Sequence, residues 1–394
     1  MASIYSHHHI AKRVKRLTLC SDWARPDMSL SPFEKVPLWT TPASYLPFDL
    51  GRFIDPILRR RSNIKMCNTL MQNTVLNFPN LSSLIIFDGS CPSSHTQPDP
   101  VLVNVYTACA SNLRSLSLCS HSPNFNIIFP QNAFDFTSLE EVTLTLSPRV
   151  DCSANAEAAS TFFRAIASSL TTLSISFGDT SEEPWRLFQS FPRLRGRPAF
   201  PKLTSFSLFH SEPPASPSPI LMQFLNQHAE TLRHLRLQHV KPSLISPKSL
   251  LPVLPHLESL NILDSSSFGQ RQELPSPEGL DAARVYVQHS RNTLTSLSLT
   301  HCSFSLHDLG MLLDLLWNGL SENTEGLKSL TVTVQVLSPD LLDVLAEKLP
   351  QLEKLEVKFT YLRTADVPTD ISNSGPTLTQ EVADLVSWLL FCSI

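Results

Sequence analysis

The sequence predicts an α/β solenoid of about eleven irregular repeats, curved, with a parallel sheet on its concave face and helices on its convex face. Two observations support this fold class. A phrase of the form LxxLxL begins eleven times, and from Leu81 onward the steps between starts are 32, 26, 31, 33, 29, 25, 37, 33 and 25 residues. Apolar blocks with helical spacing fill the intervals. Recurrence at this period indicates strand–helix units that bury their apolar faces by stacking.

The phrase is the predicted strand of each repeat. Its fourth and sixth residues lie on one face, because side chains alternate along a strand. Pro79, Pro201, Pro255 and Pro350 stand two residues before a phrase, where a proline ends a preceding helix and admits a strand. The eleven phrases begin at Val14, Leu81, Leu113, Leu139, Leu170, Leu203, Leu232, Leu257, Leu294, Leu327 and Leu352.

The predicted helices lie between the phrases, and several have apolar residues spaced by three and four. The candidate blocks are VLVNVYTACA, AEAASTFFRAIASS, ILMQFLNQHAE, GLDAARVYVQ, LHDLGMLLDLLWNGL and DLLDVLAEKL.

Three segments follow from this pattern. Residues 1–77 form an N-terminal repeat and capping segment, residues 78–360 form the repeat array, and residues 361–394 form a loop and a capping helix over 380–390. The net charge is −4. Residues 1–66 hold eleven Lys or Arg and five Asp or Glu, a net of +6, so the remainder carries −10. This asymmetry is too mild to indicate nucleic-acid binding.

Composition indicates an intracellular protein, cytoplasmic or nuclear. Hydrophobic residues make up 42% and charged residues 17%, which allows a large core. The eight cysteines contain no CxxC pair, and no secretory apolar segment follows the N-terminus, which favours free thiols in a reducing compartment. The apolar stretch ADLVSWLLFCSI is too short to span a bilayer, so we expect no membrane partner.

The phrases LPQLEKLEV, FPNLSSLII and LPHLESLNI resemble the leucine-rich repeat family, and the resemblance covers Val14 to about Phe359. The irregular repeat lengths and Ser/Pro loops such as SEPPASPSP resemble the leucine-rich portions of fungal F-box-type proteins. This narrower resemblance implies a protein-interaction module that recognises substrates for a ubiquitin ligase. It implies a cullin-ligase adaptor as a partner only where an F-box is present.

A candidate F-box opening is the stretch YLPFDLGRFIDPIL at Tyr45–Leu58, which imitates the LPxEL start of that motif. The residues after it do not continue the pattern, and it follows the first repeat phrase, whereas the family places the box before the repeats. Two readings stay open. A box upstream of Met1 would make the chain the repeat part of a ligase receptor, and without one it would be an adaptor-free scaffold.

The predicted concave surface consists of phrase positions three, five and seven. Eighteen of these thirty-three positions are Ser or Thr. The exceptions predict a protein-binding patch of the aromatic and arginine type that dominates interfaces. A basic stripe with stacking aromatics is missing, so nucleic acid is not an expected partner. The predicted partner-binding residues are Phe87, Phe209, His234, Arg236, Gln238 and Leu263.

Phrase position eight carries His210, His239, Asp264 and His301 in four consecutive repeats. One hypothesis is a zinc or pH-sensing site, because histidine and aspartate are ordinary metal ligands. The other is a polar ladder that satisfies backbone groups where strands turn into loops. Metal ligands must converge, whereas a ladder aligns its side chains in a row, so the ladder is the favoured prediction and no metal is expected.

Catalytic and cofactor motifs are missing. The ten glycines form neither GxGxxG nor a phosphate-binding loop, and GxSxG and HExxH do not occur. We therefore expect a binding protein that has no cofactor and is not an enzyme.

Overall fold

The structure is a computed structural model. It describes residues 14–20, 78, 80–88, 100–120, 136–146, 156–177, 186–189, 191, 198–210, 219–238, 253–263, 277–317 and 326–362. The chain divides into two compact units. The first comprises Met1–Leu170 and Ser190–Pro192, and the second comprises Thr171–Gln189 and Arg193–Ile394.

The first unit contains a parallel sheet whose strands follow one another in chain order. Its first two strands pair directly, with Arg16 opposite Ser83, so no further strand lies between them despite the long first interval of the sequence. The elements are β1 (Arg16–Cys20), β2 (Ser83–Asp88), α1 (Pro100–Cys109), β3 (Ser115–Ser120), β4 (Glu141–Leu146) and α2 (Ala156–Ile166).

The second unit repeats the arrangement over seven parallel strands in chain order. Its strands are β5 (Thr172–Phe177), β6 (Ser205–His210), β7 (His234–Gln238), β8 (Ser259–Leu263), β9 (Ser296–Phe304), β10 (Ser329–Leu337) and β11 (Lys354–Leu362). Its helices are α3 (Arg186–Gln189), α4 (Pro219–Gln227), α5 (Pro277–Ser290), α6 (Leu306–Trp317) and α7 (Pro339–Lys348). The predicted α/β leucine-rich-repeat solenoid is confirmed.

Every one of these strands begins at the third residue of its phrase, and the alternating burial follows from this. In β5, Leu173 and Ile175 are fully buried while Thr172 and Ser174 are half-buried. Helices cover the buried face. The Phe206 ring of β6 lies 4.9 Å from the Phe224 ring of α4. Burial of such side chains contributes about 1.5–3 kcal/mol each.

Strand register is set by one recurring backbone contact. The carbonyl of the second phrase residue accepts two hydrogen bonds from the next repeat; Arg233 O, for example, accepts from the N–H groups of Glu258 and Ser259 at 2.7 and 2.9 Å. A slip of one residue would turn the apolar side chains out of the core. The same contact is made by the carbonyls of Lys15, Ser82, Arg114, Thr171, Thr204, Arg233, Glu258, Thr295 and Lys328.

Three prolines before the phrases, Pro201, Pro255 and Pro350, form turns. The residue before each proline accepts a hydrogen bond from the first phrase leucine, as when Leu203 N–H donates to Phe200 O at 3.1 Å. Proline pre-sets the backbone angle that the second turn position requires. Of the three, Pro350 follows a helix closely, as predicted, whereas the residues just before Pro201 and Pro255 are not helical.

The last strand is less covered than its neighbour. Leu355 and Val357 are half-buried, whereas Leu330 and Val332, their register partners in β10, are fully buried. Phe359 is 46% exposed beside Val334, which is 1% exposed.

The predicted capping helix over 380–390 and the F-box-like stretch at 45–58 lie outside the described residues.

Candidate partner-binding face

The sheet face opposite the buried leucines consists of phrase positions three, five and seven, and we call it the polar face. Side-chain alternation places these residues on one side of each strand, and parallel pairing aligns them in rows across the strands. In the second unit, position five forms the row Ser207, Arg236, Asn261 and Ser298. Position seven places Gln238 between Phe209 and Leu263.

Five of the six predicted partner-binding residues therefore lie together on the adjacent strands β6, β7 and β8. His234, Arg236 and Gln238 alternate along β7, and Phe209 and Leu263 flank Gln238 on either side. Phe87 belongs to the first unit, where it is 37% exposed and pairs in register with Cys20 and Cys119. The structure thus groups the predicted patch without Phe87.

Arg236 is the permanently charged residue among these five. Its side chain is exposed, and one guanidinium nitrogen, Nη2, donates to Gln238 Oε1 at a long 3.4 Å. The two side chains lie on the same face because they are two residues apart on one strand. A guanidinium carries five N–H donors in a planar fork, and Gln238 is its single acceptor among the described residues.

Carboxylates are missing from this part of the polar face. None of the three positions in each of the strands β5 to β10 is Asp or Glu, and within the second unit the first acidic residue in these rows is Glu356 of β11. Most of these positions are Ser or Thr, which offer hydroxyl donors and acceptors without charge. The electrostatic character around Arg236 is therefore neutral to positive.

Two cations elsewhere in the same unit have carboxylate partners. Arg233, just before β7, lies 3.7 Å from Glu258 and also donates to His256 O at 3.4 Å. On β11, Lys358 lies 3.7 Å from Glu356. These pairs are partly exposed and contribute little to stability; Arg236, by contrast, has no carboxylate partner among the residues that the structure describes.

Asn261 is a residue of this face that sequence reasoning did not select. It pairs in register with Arg236 and Ser298, and its Oδ1 atom is buried with no hydrogen-bond donor among the described residues. The signal in the sequence was its place at phrase position five, where most repeats have Ser or Thr. An unsatisfied amide oxygen beside a guanidinium is unusual in a folded protein.

The proposed ladder at phrase position eight is only partly described. His210 ends β6 and His301 lies within β9, whereas His239 and Asp264 lie outside the described residues. Strands β6 and β9 are three strand spacings apart, roughly 14 Å, and both the ladder and the zinc hypothesis stay predictions. Within the described part of the chain, no group of three potential metal ligands converges.

A buried histidine lies behind the sheet. His228 is 1% exposed, and its ring lies 4.4 Å from that of Phe224 and 6.0 Å from that of Phe200. Burial lowers the pKa of His228, more than its hydrogen bond to the Phe224 carbonyl raises it. The imidazole is therefore a neutral structural group.

Two described cysteines, Cys109 and Cys119, are buried and are not joined in disulfides. Burial raises the pKa of Cys109 to about 12, which keeps the thiol protonated and unreactive.

Among the residues that the structure describes, no helix has both the length and the apolar character needed to cross a membrane.

No protein-family model matches the sequence, and the comparison with curated proteins found no match. Among solved structures, the chain is similar to the yeast crystal structure of the Rad7 and Elc1 complex, with 15% identity and a TM-score of 0.43 over 78% of this chain and 77% of that chain.

Proposed function

We propose that the chain is a protein-interaction module that binds its partner through the polar face of β6, β7 and β8. The observation that supports this is the placement of exposed Arg236 and His234 next to Phe209 and Leu263 on adjacent strands. Arginine and aromatic residues supply most of the energy of protein interfaces. The module acts by binding, inside the cell, without catalysis, cofactor or membrane attachment.

The proposal extends to substrate recognition in an F-box-type ubiquitin ligase. Its support is the resemblance of the repeat phrases and Ser/Pro loops to the repeat portions of fungal F-box-type proteins. A cullin-ligase adaptor is a second partner only where an F-box is joined to the repeats. An adaptor-free scaffold is the alternative, and it uses the same polar face.

The test of the binding face is a comparison of variants in affinity capture. Tagged wild-type chain, the double variant Phe209→Ala/Arg236→Ala and the control Arg291→Ala are expressed in cells, and the captured proteins are quantified. Arg291 is an exposed cation of the same unit that follows α5 and is not on the polar face. We expect a partner that the wild type and the control retain and that the double variant loses at least tenfold.

Direct binding of that partner to the purified chain completes the test. Capture that the double variant leaves undiminished would discard the polar face as the binding site. Co-capture of a cullin adaptor with the natural protein, together with a rise in partner abundance when the protein is depleted, distinguishes the ligase receptor from the scaffold.

A further inference from the structure

The rows of the polar face also indicate the chemistry of the partner. We propose that β5 to β10 receive an acidic protein segment, with a partner carboxylate at Arg236 and apolar partner side chains against Phe209 and Leu263. This inference rests on the proposed function and specifies what the same face recognises.

Charge complementarity between this surface and its partner supports an acidic segment. Eighteen described positions, three on each of six strands, contain no carboxylate, so an incoming acidic group meets no like charge at these positions. A basic segment would face the Arg236 guanidinium with no carboxylate at these positions to neutralise it. Like-charge contacts across an interface are strongly disfavoured, and complementary ones guide association.

The hydrogen bonding of Arg236 also supports an acidic partner. Arg233 and Lys358 are paired with Glu258 and Glu356, whereas within the described part of the chain the one acceptor for Arg236 is the amide of Gln238, at 3.4 Å. Its register neighbours Ser207 and Asn261 are uncharged. Bidentate contact with a carboxylate matches the planar fork of a guanidinium and forms shorter, stronger hydrogen bonds than an amide does.

Spacing defines the segment further. Phe209 and Leu263 are two strand spacings apart, roughly 10 Å, so two apolar side chains of one partner segment can contact both of them. Arg236 lies two residues from Gln238 along β7, so a partner acid between the two apolar contacts reaches it. The expected segment has an apolar side chain on either side of an Asp or Glu.

The experiment uses the purified full chain and a displayed library of random twelve-residue peptides. Five proteins are compared: the wild type, Arg236→Glu, Asn261→Asp, Phe209→Ala and the control Arg291→Glu. Asn261→Asp leaves Arg236 in place and sets a carboxylate beside it in register. All variants are first checked for an unchanged thermal unfolding midpoint.

We expect peptides selected on the wild type and on Arg291→Glu to be enriched in Asp and Glu between apolar residues. Arg236→Glu and Asn261→Asp lose that enrichment. A fluorescein-labelled peptide from the wild-type pool is then titrated by anisotropy. We expect at least tenfold weaker binding when its acid is replaced by the amide, or when the protein carries Arg236→Glu.

Other outcomes separate this inference from the proposed function. Peptides that depend on Phe209 but show no acidic enrichment overturn the acidic partner and leave the binding face intact. Peptides that bind Arg236→Glu and Asn261→Asp as well as the wild type also overturn it. An empty pool overturns both. Arg236-dependent binding of a labelled twenty-nucleotide single-stranded DNA would assign the face to nucleic acid instead.

Discussion

The backbone N–H of Phe200 donates a hydrogen bond to Nε2 of His228 at 3.2 Å, which fixes the tautomer of a fully buried imidazole. Because Nε2 accepts, the proton is on Nδ1, which donates to the Phe224 carbonyl at 2.8 Å. The ring joins the turn before β6 to the end of α4. A second proton on Nε2 would break the contact to Phe200.

We predict that this histidine makes folding stability fall in mild acid. Its pKa in the folded chain lies below the usual value of 6.5, so below that pH the unfolded chain binds a proton that the folded chain does not. Stability is therefore fully present above 6.5 and is lost as pH falls from there through the folded pKa. The loss is at most about 1.4 kcal/mol per pH unit.

Urea unfolding of the wild type and of His228→Phe at about pH 7.5 and pH 5.5 measures this effect. The variant is expected to be less stable at the higher pH by roughly 1–3 kcal/mol, because it leaves the Phe200 N–H unpaired. It is also expected to lose less stability on acidification than the wild type. Equal pH dependence in the two proteins would show that His228 does not carry the effect.

The repeats were predictable because the strand of each repeat has the same LxxLxL sequence pattern. All eleven described strands begin at the third phrase residue, and the six helical blocks coincide with α1, α2 and α4 to α7. The short helix α3 was not predicted. It has four residues, too few for an apolar period to be recognised.

The contacts between neighbouring strands and between strands and helices were not predictable to the same degree. Sequence spacing places Arg236 and Asn261 at the same phrase position, but their pairing depends on the backbone hydrogen bonds that set the register. His228 is a polar residue at the end of an apolar block, and only the packing of Phe200 against it shows that it is buried. A single sequence does not encode such long-range neighbours in any local pattern.

Asn261 allows a prediction about stability on the polar face itself. Its buried Oδ1 has no donor among the described residues, so Asn261→Ser removes an unsatisfied acceptor and matches the serines at Ser207 and Ser298. We expect the free energy of unfolding to stay constant or rise by up to about 1 kcal/mol. A loss larger than 1 kcal/mol in urea unfolding would mean that the amide makes a stabilising contact.

Matched leucines in the last two strands test how the free energy lost on truncating a core leucine depends on the position of its repeat. Leu330 and Leu355 are register partners at the same phrase position, but Leu330 is fully buried and Leu355 is half-buried. We expect Leu330→Ala to cost about 2–5 kcal/mol, since it leaves a cavity in a closed core. Leu355→Ala should cost roughly half as much in the same denaturation measurement. Equal losses would show that β11 is as well covered as β10.

The exposed apolar side chains of β10 and β11 lead to the last prediction. Val336 and Tyr361 are register partners that are 39% and 67% exposed, and Phe359 is 46% exposed. Terminal repeats of a solenoid need a cap, because no further repeat covers their core side. The sequence predicts a capping helix over 380–390, with Trp388 and Leu389 among its apolar residues. We expect this segment to cover Phe359 and Tyr361.

A double-mutant cycle tests that cover. Phe359→Ala, Trp388→Ala and the double variant are unfolded in urea, with Phe87→Ala and Trp388→Ala as the control cycle, since Phe87 is a similarly exposed phenylalanine of the first unit. Side chains in contact give coupling energies of about 0.5–3 kcal/mol, whereas distant ones are additive within about 0.5 kcal/mol. We expect coupling in the first cycle and additivity in the control. Additivity in both cycles, combined with a dimer in solution that Phe359→Glu dissociates, would instead assign the exposed face of β11 to a second copy of the chain.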